Sequence, residues 1–149
     1  MTLPFTHVMH LRVWYSETDQ LGTFYNSRVL EWFECGRTEL LRAAGISYRQ
    51  MERQGICLPL VEAHVKYLGR AQYDDRLEIR SVLSSAGKAS LRFEVAIGHA
   101  PDAPAGSQRP VAAGYTLHAI TDSAGKPTRC PAWLTEALES AAPKQGASA

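Results

Sequence analysis

The 149-residue sequence has no uncharged apolar run near the ~20 residues that a membrane-crossing helix needs. A transmembrane protein is therefore not expected. Its first residues, MTLPFTHVMHLRVWY, lack a cationic stretch followed by a long apolar run, so they do not read as a secretory signal. Cysteine is scarce: Cys35, Cys57 and Cys130 are odd in number, far apart and without a CxxC. That argues against a disulfide framework or a zinc motif and for reduced thiols in the cytoplasm. An excess of charge is also missing, with 16 Lys and Arg against 15 Asp and Glu and a formal net charge of +1. No whole-protein field then favours nucleic acid or an anionic membrane, and any anion site must be a local basic cluster. There is no Gly-rich phosphate loop. His7, His10, His99 and His118 show no ligand spacing, so neither a metal nor another cofactor is expected.

What the sequence does contain is clear periodicity. Residues 7–15 alternate, with Leu11, Val13 and Tyr15 opposed to Arg12, the mark of a half-buried strand. An irregular stretch, 16–25, follows, with Gly22 as its turn residue. From 26 to 44 the period becomes helical: Val29, Phe33, Gly36, Leu40 and Ala44 recur at three- or four-residue steps. Asn26 or Ser27 can cap this helix and Gly45 can end it, at a length of roughly 28 Å. A short helix is expected over 47–54, then strands over 57–68, 75–86, 88–98 and 110–121. Ala86-Gly87-Lys88 suits a hairpin turn, and 99–109 reads as a long exposed connection. A last short helix is expected over 131–142, with Pro131 at its first position.

One strongly amphipathic helix followed by a meander predicts an α+β fold, the helix lying across one antiparallel sheet. The expected organisation is a single domain over 1–142 and a disordered tail over 143–149. The open edges of such a sheet call for cover, which a second copy of the chain can supply.

The densest chemical signal is YSETDQLGTFYNSRVLEWFECGRTE, residues 15–39. Asp19 stands in a loop seven positions before the helix start at Asn26. First-turn N–H groups lack partners inside the helix and carry the positive end of its dipole. They can stabilise the oxyanion of an ester or thioester under attack. A carboxylate facing them can activate water or attack the carbonyl itself. Gly22 would let the loop fold back so that acid and donors meet. On composition alone Asp19 also reads as a solvated turn residue, the commoner fate of Asp in loops. Glu34 and Arg37, three apart on the helix, are expected to form a structural ion pair. Glu62, His64 and Lys66 share one face of a strand and read as a solvated or interface face.

Asp19-Gln20-Leu21-Gly22, then Tyr25-Asn26, then Glu34…Arg37-Thr38-Glu39, resemble the D-x-x-G…Y-[HN]…E-x-x-R-T-E signature of hot-dog-fold acyl-CoA thioesterases. The branch is that of 4-hydroxybenzoyl-CoA thioesterase, including the YbgC-like enzymes. Weaker similarity continues through Val61-Glu62-Ala63, Lys66-Tyr67-Leu68, Tyr73-Asp74-Asp75 and Gly87-Lys88-Ala89-Ser90. The resemblance implies a five-stranded antiparallel sheet wrapped around a long central helix. It also implies a homodimer or homotetramer with sites at the subunit interface.

The same resemblance makes Asp19 the catalytic carboxylate, as nucleophile or general base, and places the oxyanion donor at the Asn26 N–H. Tyr25 would line the thioester. Gly22, Lys88, Ser90 and Arg70 would belong to the side that binds substrate, with the basic residues meeting the phosphates of coenzyme A. YbgC-like members often carry His where this chain has Asn26, so a side-chain proton shuttle is not expected there. The implied reaction is hydrolysis of acyl-CoA to carboxylate and free coenzyme A. The alternatives are a non-catalytic acyl-CoA binder, a hot-dog hydratase or dehydratase (whose D-x-N-P-x-H pattern is absent), and a thioesterase acting on an acyl carrier protein.

Overall fold

A computed structural model describes residues 5–146, with side chains through Ala141. Strand β1, Phe5–Arg12, leads through a single 3-10 turn, Tyr15–Glu17, and an irregular loop to helix α1, Arg28–Ala43. Helix α2, Tyr48–Arg53, precedes four strands: β2, Leu60–Tyr67; β3, Arg76–Ala86; β4, Ser90–His99; and β5, Pro110–Ala119. Helix α3, Ala132–Gly146, closes the described chain. The five strands form one sheet in the order β1-β3-β4-β5-β2, antiparallel throughout. This is the expected α+β arrangement, a five-stranded sheet packed on a long helix.

Alternation puts Leu77, Ile79 and Leu83 of β3, and Leu91, Phe93, Val95 and Ile97 of β4, on the covered face. The helical period puts Val29, Trp32, Phe33, Gly36, Leu40 and Leu41 of α1 against them. Gly36 is the point of closest approach. A Cβ there would lie 2.3 Å from Ser81 Oγ and 2.9 Å from Ile79 Cγ2, so the bare backbone is what lets the helix seat on β3.

Several local expectations are corrected. The helix begins at Arg28, two residues later than its periodicity suggests, and runs 16 residues. Ser27 stands at the cap position, but its side chain makes no capping hydrogen bond. Gly45 does end the helix, in the left-handed region at φ +83°. Glu34 and Arg37 form no ion pair; Arg28–Glu31 and Glu39–Arg42 do. Desolvation nevertheless lowers the Arg37 pKa from its ordinary value, a fall that Glu34 opposes through space. Pro131 precedes α3, and residues 143–146 continue that helix where a tail was expected. Residues 147–149 lie outside the described residues.

Strand β2 departs most from its pattern. Its alternating Val61, Ala63, Val65 and Tyr67 suggested one buried face, yet every residue except Val65 is exposed. The strand pairs only with β5, so its other edge has no partner among the described residues.

Candidate active site

The loop between β1 and α1 is held on three sides. Its two arms pair with each other: Tyr25 N–H donates to Glu17 O at 2.7 Å, Thr18 and Phe24 form a bridge, and Asp19 N–H donates to Thr23 O at 2.8 Å. Gly22, at φ +78° with open space where a Cβ would sit, turns the chain between the arms. Glu17 fastens the loop to the helix. Its carboxylate accepts the Trp14 N–H at 2.7 Å and the buried Trp32 Nε1–H at 2.8 Å. On the third side Phe24 N–H donates to Ala71 O at 3.0 Å, and Thr23 Oγ1 both donates to Ala71 O and accepts its N–H. The Arg70 guanidinium donates to Leu21 O.

Asp19 therefore sits in a defined setting. Its Oδ1 accepts the Leu21 N–H at 2.8 Å, which orients the carboxylate. The second oxygen has no hydrogen-bond partner among the described residues. The side chain lines an open cavity of about 540 Å³, walled by Tyr15, Thr18, Gly22, Gln72 and Tyr73. Tyr15 and Tyr73 meet edge to face across it, with ring centres 5.8 Å apart.

Asn26 lies at the other end of the return arm, three residues beyond the rung that pairs Thr23 with Asp19. Tyr67 Oη donates to its carbonyl at 2.7 Å, and the Tyr67 ring stacks on Phe24 at 6.2 Å. Its own N–H makes no hydrogen bond among the described residues. Tyr25 beside it is exposed and does not wall the Asp19 cavity.

The remaining site residues are not brought together in one chain. Lys88 and Ser90 lie at the β3–β4 hairpin, the end of the sheet where Phe5 pairs Leu83. The Asp19 loop leaves the opposite end, where Arg12 pairs Arg76. Arg70 is beside the Asp19 loop, bound to its backbone.

The other reactive groups have structural explanations. His118 is buried, with Nδ1 3.0 Å from Leu58 O and Nε2 3.0 Å from Thr116 Oγ1. Burial lowers its pKa from the ordinary value, the Leu58 bond opposes that fall, and the Arg37 charge adds to it. The Cys35 thiol is pushed up by desolvation and then by the carboxylates of Glu34, Glu17, Glu39 and Glu31, which disfavours the nucleophilic thiolate. His64 is exposed and stacks on Tyr115, whose hydroxyl donates to Glu62. Sequence reasoning missed Glu17, because nothing local links it to Trp32 fifteen positions on.

The fold and loop define a class. The chain belongs to the thioesterase-like superfamily, whose family model matches residues 13–138, and its fold is the hot-dog fold of thioesterases. Among individual relatives, it is 37% identical over 65 residues to YneP of Bacillus subtilis, covering 44% of this chain and 47% of that protein. It is 31% identical over 83 residues to the acyl-CoA thioester hydrolase YbgC of Escherichia coli, covering 56% of this chain and 62% of that one. The matches thus span about half to three-fifths of these relatives' length. Among solved structures, a hypothetical protein of Aquifex aeolicus superposes with a TM-score of 0.79 at 27% identity, covering 89% of this chain and 98% of that one. A 4-hydroxybenzoyl-CoA thioesterase mutant bound to 4-hydroxybenzoyl-CoA superposes at 0.80 with 16% identity, covering 90% and 99%, a likeness of fold.

No helix among the described residues is long and apolar enough to cross a membrane.

Proposed function

We propose that this chain is an acyl-CoA thioesterase in which Asp19 drives hydrolysis and the start of α1 holds the developing oxyanion. The observation that carries this reading is the loop geometry. One Asp19 oxygen is fixed by the Leu21 N–H while the other is free at an open cavity, and the unpaired Asn26 N–H lies on the returning arm. The free oxygen can take a proton from water as that water adds to the thioester carbon, or add to that carbon directly. Either way the carbonyl oxygen gains charge and is met by a backbone donor at the positive end of the helix. The C–S bond then breaks and the thiolate takes up a proton, leaving carboxylate and free coenzyme A. No side chain at Asn26 needs to titrate.

The reading extends to a homodimer through β2. Leu60, Val61, Tyr67 and Leu68 are exposed beside an unpaired strand edge, a liability that pairing with a second copy removes. Antiparallel β2–β2 pairing would lay the Leu60 end of one copy beside the Tyr67 end of the other. Since Leu60 pairs His118 and His118 pairs Leu91, the Lys88–Ser90 hairpin stands at that Leu60 end. The two-fold would then carry this hairpin to the Tyr67–Asn26 corner of the other copy, uniting residues that one chain keeps apart.

Asp19→Asn tests the mechanism. Thiol release from a panel of aliphatic and aromatic acyl-CoAs is expected to fall by roughly 10²–10⁴-fold, with coenzyme A binding retained. Unaltered turnover in that variant removes Asp19 from the chemistry.

A further inference from the structure

We propose that Arg70 and Arg109 form a phosphate-binding site next to the Asp19 cavity. Both line an open cleft of about 520 Å³ that shares Gln72 with that cavity. The cleft contains three carboxylates, and each is held by a neighbouring side chain, two by a guanidinium and one by an imidazole. Asp74 is 3.9 Å from the Arg12 guanidinium, Asp102 is 2.7 Å from that of Arg76, and Asp75 is 3.1 Å from His99 Nε2. Of the four guanidiniums lining the cleft, Arg12 and Arg76 pair with carboxylates, whereas Arg70 and Arg109 have none among the described residues. Each spends a donor on a single carbonyl, Leu21 O for Arg70 and Gly106 O, at 3.4 Å, for Arg109. A guanidinium has five N–H donors in a planar fork, so most remain for a ligand.

The backbone sets the two arginines side by side. Gly69 and Pro110, the residues adjoining them, touch so closely that a Cβ on Gly69 would lie 2.4 Å from Pro110 O. The Leu68 and Gly69 N–H groups both donate to Val111 O, at 2.9 and 3.1 Å, which locks that approach. The Arg109 carbonyl is also held, accepting the His99 N–H at 3.0 Å. Two fixed backbones thus present to one cleft two guanidiniums that make no ion pair among the described residues, which suits the compact multiple charge of a phosphate.

The phosphate can come from the coenzyme A part of the substrate or from free phosphate. Only the first source rests on the thioesterase reading. Calorimetry with inorganic phosphate and with coenzyme A, on wild type and Arg109→Gln, reads the site without turnover. Hydrolysis of one acyl-CoA and of the matching acyl-pantetheine, which keeps the thioester and lacks the phosphates, then separates the sources. For a substrate phosphate, Arg109→Gln lowers coenzyme A affinity at least roughly tenfold and lowers the acyl-CoA to acyl-pantetheine ratio of kcat/KM by a similar factor. For free phosphate, the variant loses inorganic phosphate binding while that ratio stays at its wild-type value. Wild-type affinity for both phosphate and coenzyme A in Arg109→Gln overturns the proposal. That outcome is distinct from loss of the thioesterase reading, which depends on Asp19→Asn and on thiol release.

Discussion

Glu17 offers the sharpest test of how the sequence builds its site, because it touches no substrate in the proposed reaction yet holds the loop that carries Asp19. Its two carboxylate oxygens accept from Trp14 N–H and Trp32 Nε1–H at 2.7 and 2.8 Å. The two bonds are not equivalent. Trp14 is 69% exposed, so water can replace the carboxylate there at little cost. Trp32 is 2% exposed, and its indole N–H would be left buried without an acceptor. Such an orphan costs about 1–3 kcal/mol, so Glu17→Ala is expected to destabilise the protein by about 2 kcal/mol. For a chain of this size that is a fall of roughly 4–8 °C in Tm. Glu17→Gln keeps one acceptor but turns an NH2 toward the second donor, and should lose about half as much.

The mechanism is isolated by a cycle with Trp32→Phe, which removes the donor that needs Glu17. In that background Glu17→Ala should cost about 1–2 kcal/mol less than in wild type. Urea unfolding at a fixed protein concentration measures each corner. Thiol release on the same proteins should show kcat falling more than KM rises, since the anchor positions the carboxylate rather than binding substrate. Equal losses from Glu17→Ala in both backgrounds would refute the assignment of Glu17 as the anchor of Trp32.

Two further outcomes concern the core. Gly36→Ala gains about 1 kcal/mol of helix propensity but forces a Cβ to within 2.3 Å of Ser81 Oγ, and overpacking of this kind costs about 1–3 kcal/mol. A net loss is expected in urea unfolding, and Ser81→Ala should restore part of it, because that hydroxyl is buried without a partner among the described residues while the 2.9 Å approach to Ile79 Cγ2 stays. His118 gives the pH dependence. Burial lowers its folded pKa below its ordinary 6.5, so the unfolded chain binds its proton first as pH falls. Its stabilisation is present above about pH 6.5 and is lost as pH falls from there through the folded value. The drop in Tm between pH 7.5 and 5 should be smaller in His118→Gln than in wild type; an identical drop would remove His118 as its source.

Much of this architecture was legible in the residue order because it rests on local periods. Helical recurrence from Val29 to Leu41 and alternation in Leu77–Leu83 and Leu91–Ile97 mark which side of each element is apolar, whatever it packs against. Gly45 and Gly22 were readable for the same reason, since a left-handed backbone is a local demand that glycine meets. The exact helix start was not, because the segment before Arg28 is shaped by Glu17 O, Ala71 O and the Tyr67 hydroxyl, all distant in sequence or outside the helix. The pattern of β2 read as half buried, yet of its residues only Val65 is partly buried against the core, since alternation reports what a strand can bury and not whether a partner is present.

The sequence by itself determined that an acid, Asp19, stands with Gly22 in a short loop ahead of one amphipathic helix, whose first residue in the structure is Arg28. Only the tertiary structure decided how that acid is presented. One oxygen is tied to Leu21 and the other is free, Glu17 is bound to Trp32, and Arg70 is brought beside Arg109 by the contact of Gly69 with Pro110. The physical reason is the range of the forces. Backbone preference and side-chain period act over a few residues, whereas hydrogen bonds and charge pairing join whatever the closed sheet brings within about 3–4 Å.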